Sequence, residues 1–326
     1  MKNCEVCGTL NLKENNYCTH CGCNIAEINI CPFCGQINPD ANDFCIKCHN
    51  QITPIAIDNF DVLFSDYNRS LILNAELSDN DYVNILERMF KKLDYFTITG
   101  NTPKEKVLQI ANVFTYVVPK SSGIEYGEYG CTVILYDDRL DESFQISTII
   151  HELAHYLMFE LCESILCEIL DVKSSPVLKA FVEYFLTSPD IEVINEFYAH
   201  TVENRFIPLE FQSFNSYLSC AASLGLSDED AVAFIQLGNS YAQDIIHFLQ
   251  YHIDEKLREL IKLQFKRDMV KPRDRVNYNF DKTVLPIGEK NKYLIGLMAY
   301  YFDGLYNNKE ARKELEYQKI KFEDYA

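Results

Sequence analysis

The chain has 326 residues, 48% of them hydrophobic, and a formal net charge of -18. That apolar share supplies one large core or two modest ones, while the acidic balance excludes a partner gripped by its phosphates, because such binding needs a basic face. No apolar run reaches the roughly eighteen residues that span a bilayer, and the opening MKNCEVCGTL lacks the apolar stretch of a secretory signal. A cytosolic protein with no membrane segment is expected. The one tight basic cluster of the C-terminal half, KPRDR at 271–275, is interrupted by Asp274 and reads as a solvated turn.

Nine of the thirteen cysteines fall within the first fifty residues. In an unsignalled chain such clustering points to metal rather than to disulfides. The segment CEVCGTLNLKENNYCTHC, Cys4 to Cys21, is followed by CPFCGQINPDANDFCIKC, Cys31 to Cys48, so the pattern repeats after 27 residues (31 minus 4). Each copy holds two CxxC pairs, with Gly8 or Gly35 after the first pair and Tyr17 or Phe44 before the second. A CxxC turn presents two thiolates on one side of a tight loop, and two such loops complete the tetrahedral set zinc prefers. Cys4, Cys7, Cys18 and Cys21 form one set, and Cys31, Cys34, Cys45 and Cys48 the other. Residues 4 to 48 resemble the double zinc ribbon family. With four thiolates each, the sites offer no open position for chemistry and are expected to be structural. Cys23 is an extra thiol, and His20 and His49 fall outside the spacing. Residues 1 to 50 carry three lysines, no arginine and five acidic groups, which favours a protein partner over nucleic acid at the ribbons.

Beyond Cys48, NQITPIAIDNF reads as a linker. Residues 79 to 94 place Tyr82, Ile85, Leu86, Met89, Phe90 and Leu93 on one helical face, with Ser78 or Asp79 as cap. A second helix is expected from Thr102–Pro103 through about Tyr116. The glycine-punctuated SSGIEYGEYG then leads to a short strand over 131–136.

The chemistry is concentrated in SFQISTIIHELAHYLMFEL, 143 to 161, where Ile146, Ile149, Ile150, Leu153 and Leu157 recur at helical spacing. His151 and His155 lie one turn apart on another face, so both imidazoles reach one zinc ion, and Glu152 sits beside them to act on a bound water. A catalytic zinc needs a third protein ligand. Glu163, Glu168 and Asp171 continue or just leave the same helix, which cannot fold back on its own ion. After a helix over 176–186 and the break TSPD, the next helix, from Ile191 to about Phe206, carries Glu192, Glu196, His200 and Glu203 on one face.

HELAH and NEFYAH, residues 195 to 200, resemble the motifs of the gluzincin peptidases, the group that includes thermolysin. The resemblance covers Cys131 to Pro208. It implies Glu196 as third ligand and a supporting acid four residues on, where this chain has His200. His200 is therefore expected behind a ligand histidine, held by a hydrogen bond, or at the zinc itself. The following VENRFIP is also similar to the repressor-cleaving gluzincins of mobile elements.

The expected architecture is α+β: a double zinc ribbon over 1–50, then a mostly helical zincin-like domain with a small β-sheet over 51–326. The latter comprises a scaffold (51–130), a metal-binding core (131–208) and a helical part (209–326) that includes one long helical pattern from about Asp228 to Asp268. His247 and His252 on that pattern do not share a face. Cys131, Cys162, Cys167 and Cys220 read as small buried hydrophobes. The expected function is a zinc endopeptidase, with one catalytic and two structural zinc ions, acting on a protein or peptide substrate. The strand at 131–136 would pair with that substrate. A retired zincin scaffold, binding partners through its ribbons, is the alternative, and a metal-dependent hydrolase of non-peptide substrates a third.

Elemental analysis of the purified protein should find close to three zinc ions, two held tightly by thiolates and one more readily chelated. Two ions, unchanged by His151→Ala, would remove the catalytic site.

Overall fold

A computed structural model describes residues 2–3, 10–11, 28–30, 37–39, 47, 55–122, 127–130, 133–271 and 280–324. The chain divides into two units: Met1–Ile57 with Asp171–Lys173, and Asp58–Leu170 with Ser174–Ala326. The boundary near residue 57 lies a little beyond the 50/51 division that the cysteine pattern suggests.

In the first unit, β1 (Lys2–Asn3) pairs antiparallel with β2 (Leu10–Asn11), and β3 (Ile28–Ile30) with β4 (Ile37–Pro39). The pairs Lys2↔Asn11 and Asn3↔Leu10 recur 27 residues on as Asn29↔Asn38 and Ile30↔Ile37, so the backbone register repeats with the sequence period. The eight expected ligand cysteines, with Cys23, His20 and His49, lie outside the described residues. The unit continues with β5 (Ile55–Ala56).

The second unit is mostly helical. It opens with α1 (Phe60–Leu63), α2 (Asp66–Leu73) and α3 (Asp79–Phe90), extended by a 3-10 turn over Lys91–Tyr95. Then α4 (Pro103–Phe114) starts in a capping box, in which Thr102 Oγ1 accepts from the Glu105 N–H and the Glu105 side chain accepts from the Thr102 N–H. Tyr116, expected at the helix end, instead begins β6 (Tyr116–Lys120), which is followed by β7 (Gly127–Gly130) and β8 (Val133–Asp137). The sheet order is β6-β8-β7, with β6 parallel and β7 antiparallel to β8. Both edges of the expected substrate-pairing strand are thus already occupied. Strand β7, at the outer side of this sheet, lies beside the next helix.

That helix, α5 (Glu142–Leu170), runs 29 residues. It packs against α2, α3, α4, α6 (Pro176–Leu186), α7 (Pro189–Phe206) and α10 (Glu255–Arg267), and against β7 and β8. A helix so surrounded must be apolar on most faces, and Ile149, Ile150, Leu153, Ala154 and Leu157 are fully buried. Each large aliphatic side chain among them contributes about 1.5–3 kcal/mol by leaving water. Between α5 and α6 the short β9 (Val172–Lys173) pairs in parallel with β5 and belongs to the first unit.

The remaining helices are α8 (Asn215–Leu224), α9 (Asp228–Leu249), α11 (Ile287–Asn307) and α12 (Arg312–Asp324). The single long pattern expected from Asp228 to Asp268 is therefore two helices. Asp254 caps the second by accepting the Leu257 N–H at 2.8 Å, which restarts the helix after a turn and places His252 off α9. A buried polar cluster ties α3, α9 and α11 together: the Lys290 ammonium, 1% exposed, pairs with Asp244 and lies over the rings of Tyr82 and Tyr241. Tyr82 Oη donates to the same carboxylate at 2.5 Å. Cys162 is fully buried and Cys167 and Cys220 half-buried, all three as free thiols, while Cys131 and residues 272–279 of the basic segment lie outside the described residues. Among the described residues no helix is long and apolar enough to cross a membrane.

Candidate metal centre

The spacing of four residues on α5 brings His155 Nε2 to 3.2 Å from His151 Nε2. Helix α7, started by Pro189 in its first turn, crosses α5 and supplies Glu196. Its Oε2 lies 3.6 Å from His151 Nε2 and its Oε1 3.5 Å from His155 Nε2. A tetrahedral zinc ion with bonds of 2.0–2.1 Å spaces its ligand atoms about 3.3 Å apart. The three donor groups therefore fit one ion with little movement. Two imidazoles and a carboxylate also form the donor set of catalytic zinc, which keeps a fourth position for reactants. Glu192, one turn before Glu196, is exposed and stands at the side of the cleft.

Behind the donors lies a closed hydrogen-bond network. Glu203 Oε2 is 3.1 Å from His151 Nδ1 and 3.2 Å from His200 Nδ1, and its Oε1 accepts from Ser147 Oγ. His200 Nε2 is 2.7 Å from Ser216 Oγ on α8, and that hydroxyl donates to Glu196 Oε2. The acid that orients His151 is thus Glu203, seven residues beyond Glu196, and not a group at position 200. Such an acid fixes the histidine tautomer, leaving Nε2 to face the ion. His151, Glu196 and His200 also offer donor atoms within 4.8 Å of one another. Both ring nitrogens of His200 are engaged, however, whereas buried His155 Nδ1 has no hydrogen-bond partner and its Nε2 faces the other two donors. Both His155 and His200 thus stand within reach of a cation held by His151 and Glu196.

Charge is balanced tightly here. Burial opposes a proton on His151, but Glu196 and Glu203 outweigh it and raise its pKa well above the ordinary histidine value. Burial would raise the pKa of Glu196, yet His151, His155 and the Ser216 hydroxyl hold it far below the usual carboxylate range. Glu203 is held down likewise by His151 and His200 against the same burial. His200 itself is lowered, chiefly by burial. The two carboxylates on either side of His151 thus favour positive charge at this point of the cleft.

Glu152 lines the same cleft and is 9% exposed. Burial pushes its carboxyl up, the two histidines pull it back, and the Tyr129 N–H of β7 donates to it. A raised carboxyl suits a group that must take and return a proton. Strand β7 approaches α5 so closely that a Cβ on Gly127 would sit 2.2 Å from Thr148 Cγ2 and 3.0 Å from Glu152 Oε1. Only glycine fits. The cleft holds about 590 Å³ and includes His151, Glu152, His155, Glu196, Tyr129 and Asn195 in its walls.

The sequence brought forward His151, Glu152, His155, Glu196 and His200, and all five meet here. It did not single out Gly127, Ser147 or Ser216, and it placed Glu203 on the right face without a role. The face itself held that signal, since 196, 200 and 203 follow the helical period. Comparison with known proteins finds no match to any family model, curated protein or solved structure.

Four substitutions test the geometry. Glu196→Ala should abolish metal binding at this centre, while Glu203→Gln should weaken it by about ten- to a hundred-fold, leaving a site that refills when zinc is in excess. Chelator-competition titrations separate the two. Gly127→Ala should lower peptide hydrolysis while the metal stays bound, and Thr148→Ala in the same chain should recover part of the loss by removing the nearer clash. Equal activity of parent and Gly127→Ala would show that β7 does not position Glu152.

Proposed function

We propose that the protein is a zinc-dependent endopeptidase of the HExxH type. The gathering of His151, His155 and Glu196 carries this reading: the two Nε2 atoms lie 3.2 Å apart, and the carboxylate approaches one through Oε2 at 3.6 Å and the other through Oε1 at 3.5 Å, so all three groups can reach one ion. Zinc, when bound there, supplies Lewis-acid polarisation of a carbonyl and lowers the pKa of a water. The protein residues do the rest. Glu152, beside the donors on α5, takes a proton from the attacking water and returns it to the leaving amine. The Tyr129 N–H holds that carboxylate in place. An extended substrate runs alongside β7, so that its backbone passes beside Glu152 and the metal donors. Walls close to the donors displace bulk water, which strengthens each of these electrostatic contacts.

The ribbons, with zinc in each four-cysteine set, serve recruitment or regulation through a protein partner. An intact donor set with a buried carboxylate beside it favours an active enzyme over a retired scaffold.

Incubation with a peptide library, for the parent and for Glu152→Gln, tests the reading. The amide preserves shape and cannot accept a proton, so kcat/KM should fall by about 10²–10⁴-fold with zinc content unchanged. Cleavage undiminished in the variant would show that the hydrolysis came from elsewhere, and no cleavage by a metal-loaded parent would favour the scaffold.

A further inference from the structure

The carboxylate donor of the centre comes from α7, but a hydroxyl from the next helix governs how it is presented. Ser216, the second residue of α8, has its Oγ between His200 Nε2 at 2.7 Å and Glu196 Oε2. A hydroxyl carries one proton and a carboxylate only accepts, so that proton goes to Glu196. Oγ also lies beside His200 Nε2, whose other ring nitrogen, Nδ1, faces Glu203. Its mount is firm, since residues on both sides of Ser216 pack on the neighbour of Glu196. Phe214 stacks on Phe197 with centroids 5.3 Å apart, and Tyr217, 3% exposed, meets the same ring edge-on at 5.0 Å.

A carboxylate can bind an ion through one oxygen or both. Here Oε2 already receives a charge-assisted hydrogen bond, which draws electron density from it, while Oε1 faces His155 Nε2 at 3.5 Å. We infer that Ser216 is a positioning residue that restricts Glu196 to metal ligation through one oxygen, keeping a coordination position open for the reaction. The inference rests on the zinc-peptidase reading. It gives α8, which contributes no donor, control over the coordination number of the centre.

The test uses the full chain as parent, Ser216→Ala and Ser216→Thr, with the readily chelated ion exchanged for cobalt(II) and the ribbon ions left in place. The parent should show the visible absorption of four-coordinate cobalt. Ser216→Ala should bind the ion in the same amount, but with absorption several-fold weaker and shifted toward that of five-coordination, as Glu196 closes onto the ion with both oxygens. Its kcat should fall with KM little changed, and Ser216→Thr, which keeps the hydroxyl, should restore both the spectrum and the rate. A loaded Ser216→Ala with the parent spectrum, or one that has lost the ion, overturns the role of Ser216 and leaves the zinc reading intact. A parent that takes up no exchangeable ion overturns both.

Discussion

The site depends on the burial of one carboxylate. Glu203 is 8% exposed, and a charge so placed is tolerated only when its oxygens are occupied by donors. Ser147 and His151 reach it from α5 and His200 from its own helix, so the bond set can close only at one crossing of α5 and α7. That crossing places Glu196 opposite His151 and His155. The same contact fixes the His151 tautomer, which turns Nε2 toward the other two donors. Satisfying a buried acid and assembling a metal-binding set are, in this fold, one geometrical event.

Around this crossing the fold supplies two further approaches, β7 to α5 and α8 to α7, each with its own packing condition. The sheet brings β7 in at a glycine, because any Cβ at residue 127 would enter the volume of Thr148. Helix α8 brings a hydroxyl in through aromatic packing on Phe197, next to Glu196 in sequence. Glu152 and Glu196 are thus each held by an element that carries neither. Rigid support of this kind is what electrostatic preorganisation requires.

What was legible in the sequence were features whose periodicity is local. HELAH announced itself on an apolar helical repeat, and α6 runs from Pro176 to Leu186 as its pattern suggests. Residues 192, 196, 200 and 203 emerged together on one face of a later helix, and the resemblance of NEFYAH to gluzincin motifs pointed to Glu196 among them. The supporting groups were opaque for a physical reason: a serine at 147 or 216 is an ordinary surface residue until a tertiary contact places an acid beside it. Strands β6 and β7 are short, and β7 begins and ends in glycine, so neither offered a run of β-branched residues. The division between α9 and α10 was hidden because apolar residues keep helical spacing across it, and only Asp254, a capping type, marked the restart. The repeated hairpin register in the first unit was readable from the 27-residue period alone.

The Lys290 cluster bears on how far the catalytic unit could be trimmed. Both metal-bearing helices end by Phe206, which invites the idea of a compact excised core. Yet Lys290 on α11 neutralises Asp244 on α9, and Tyr82 on α3 donates to the same acid. The ammonium is 1% exposed and the carboxylate 23%, so the desolvation falls mainly on the lysine. A fragment lacking α11 would leave Asp244 with the Tyr82 hydroxyl and no counter-charge. A stable fragment of this unit therefore extends through Asn307, and its extent is set by a lysine far along the chain from the candidate donors.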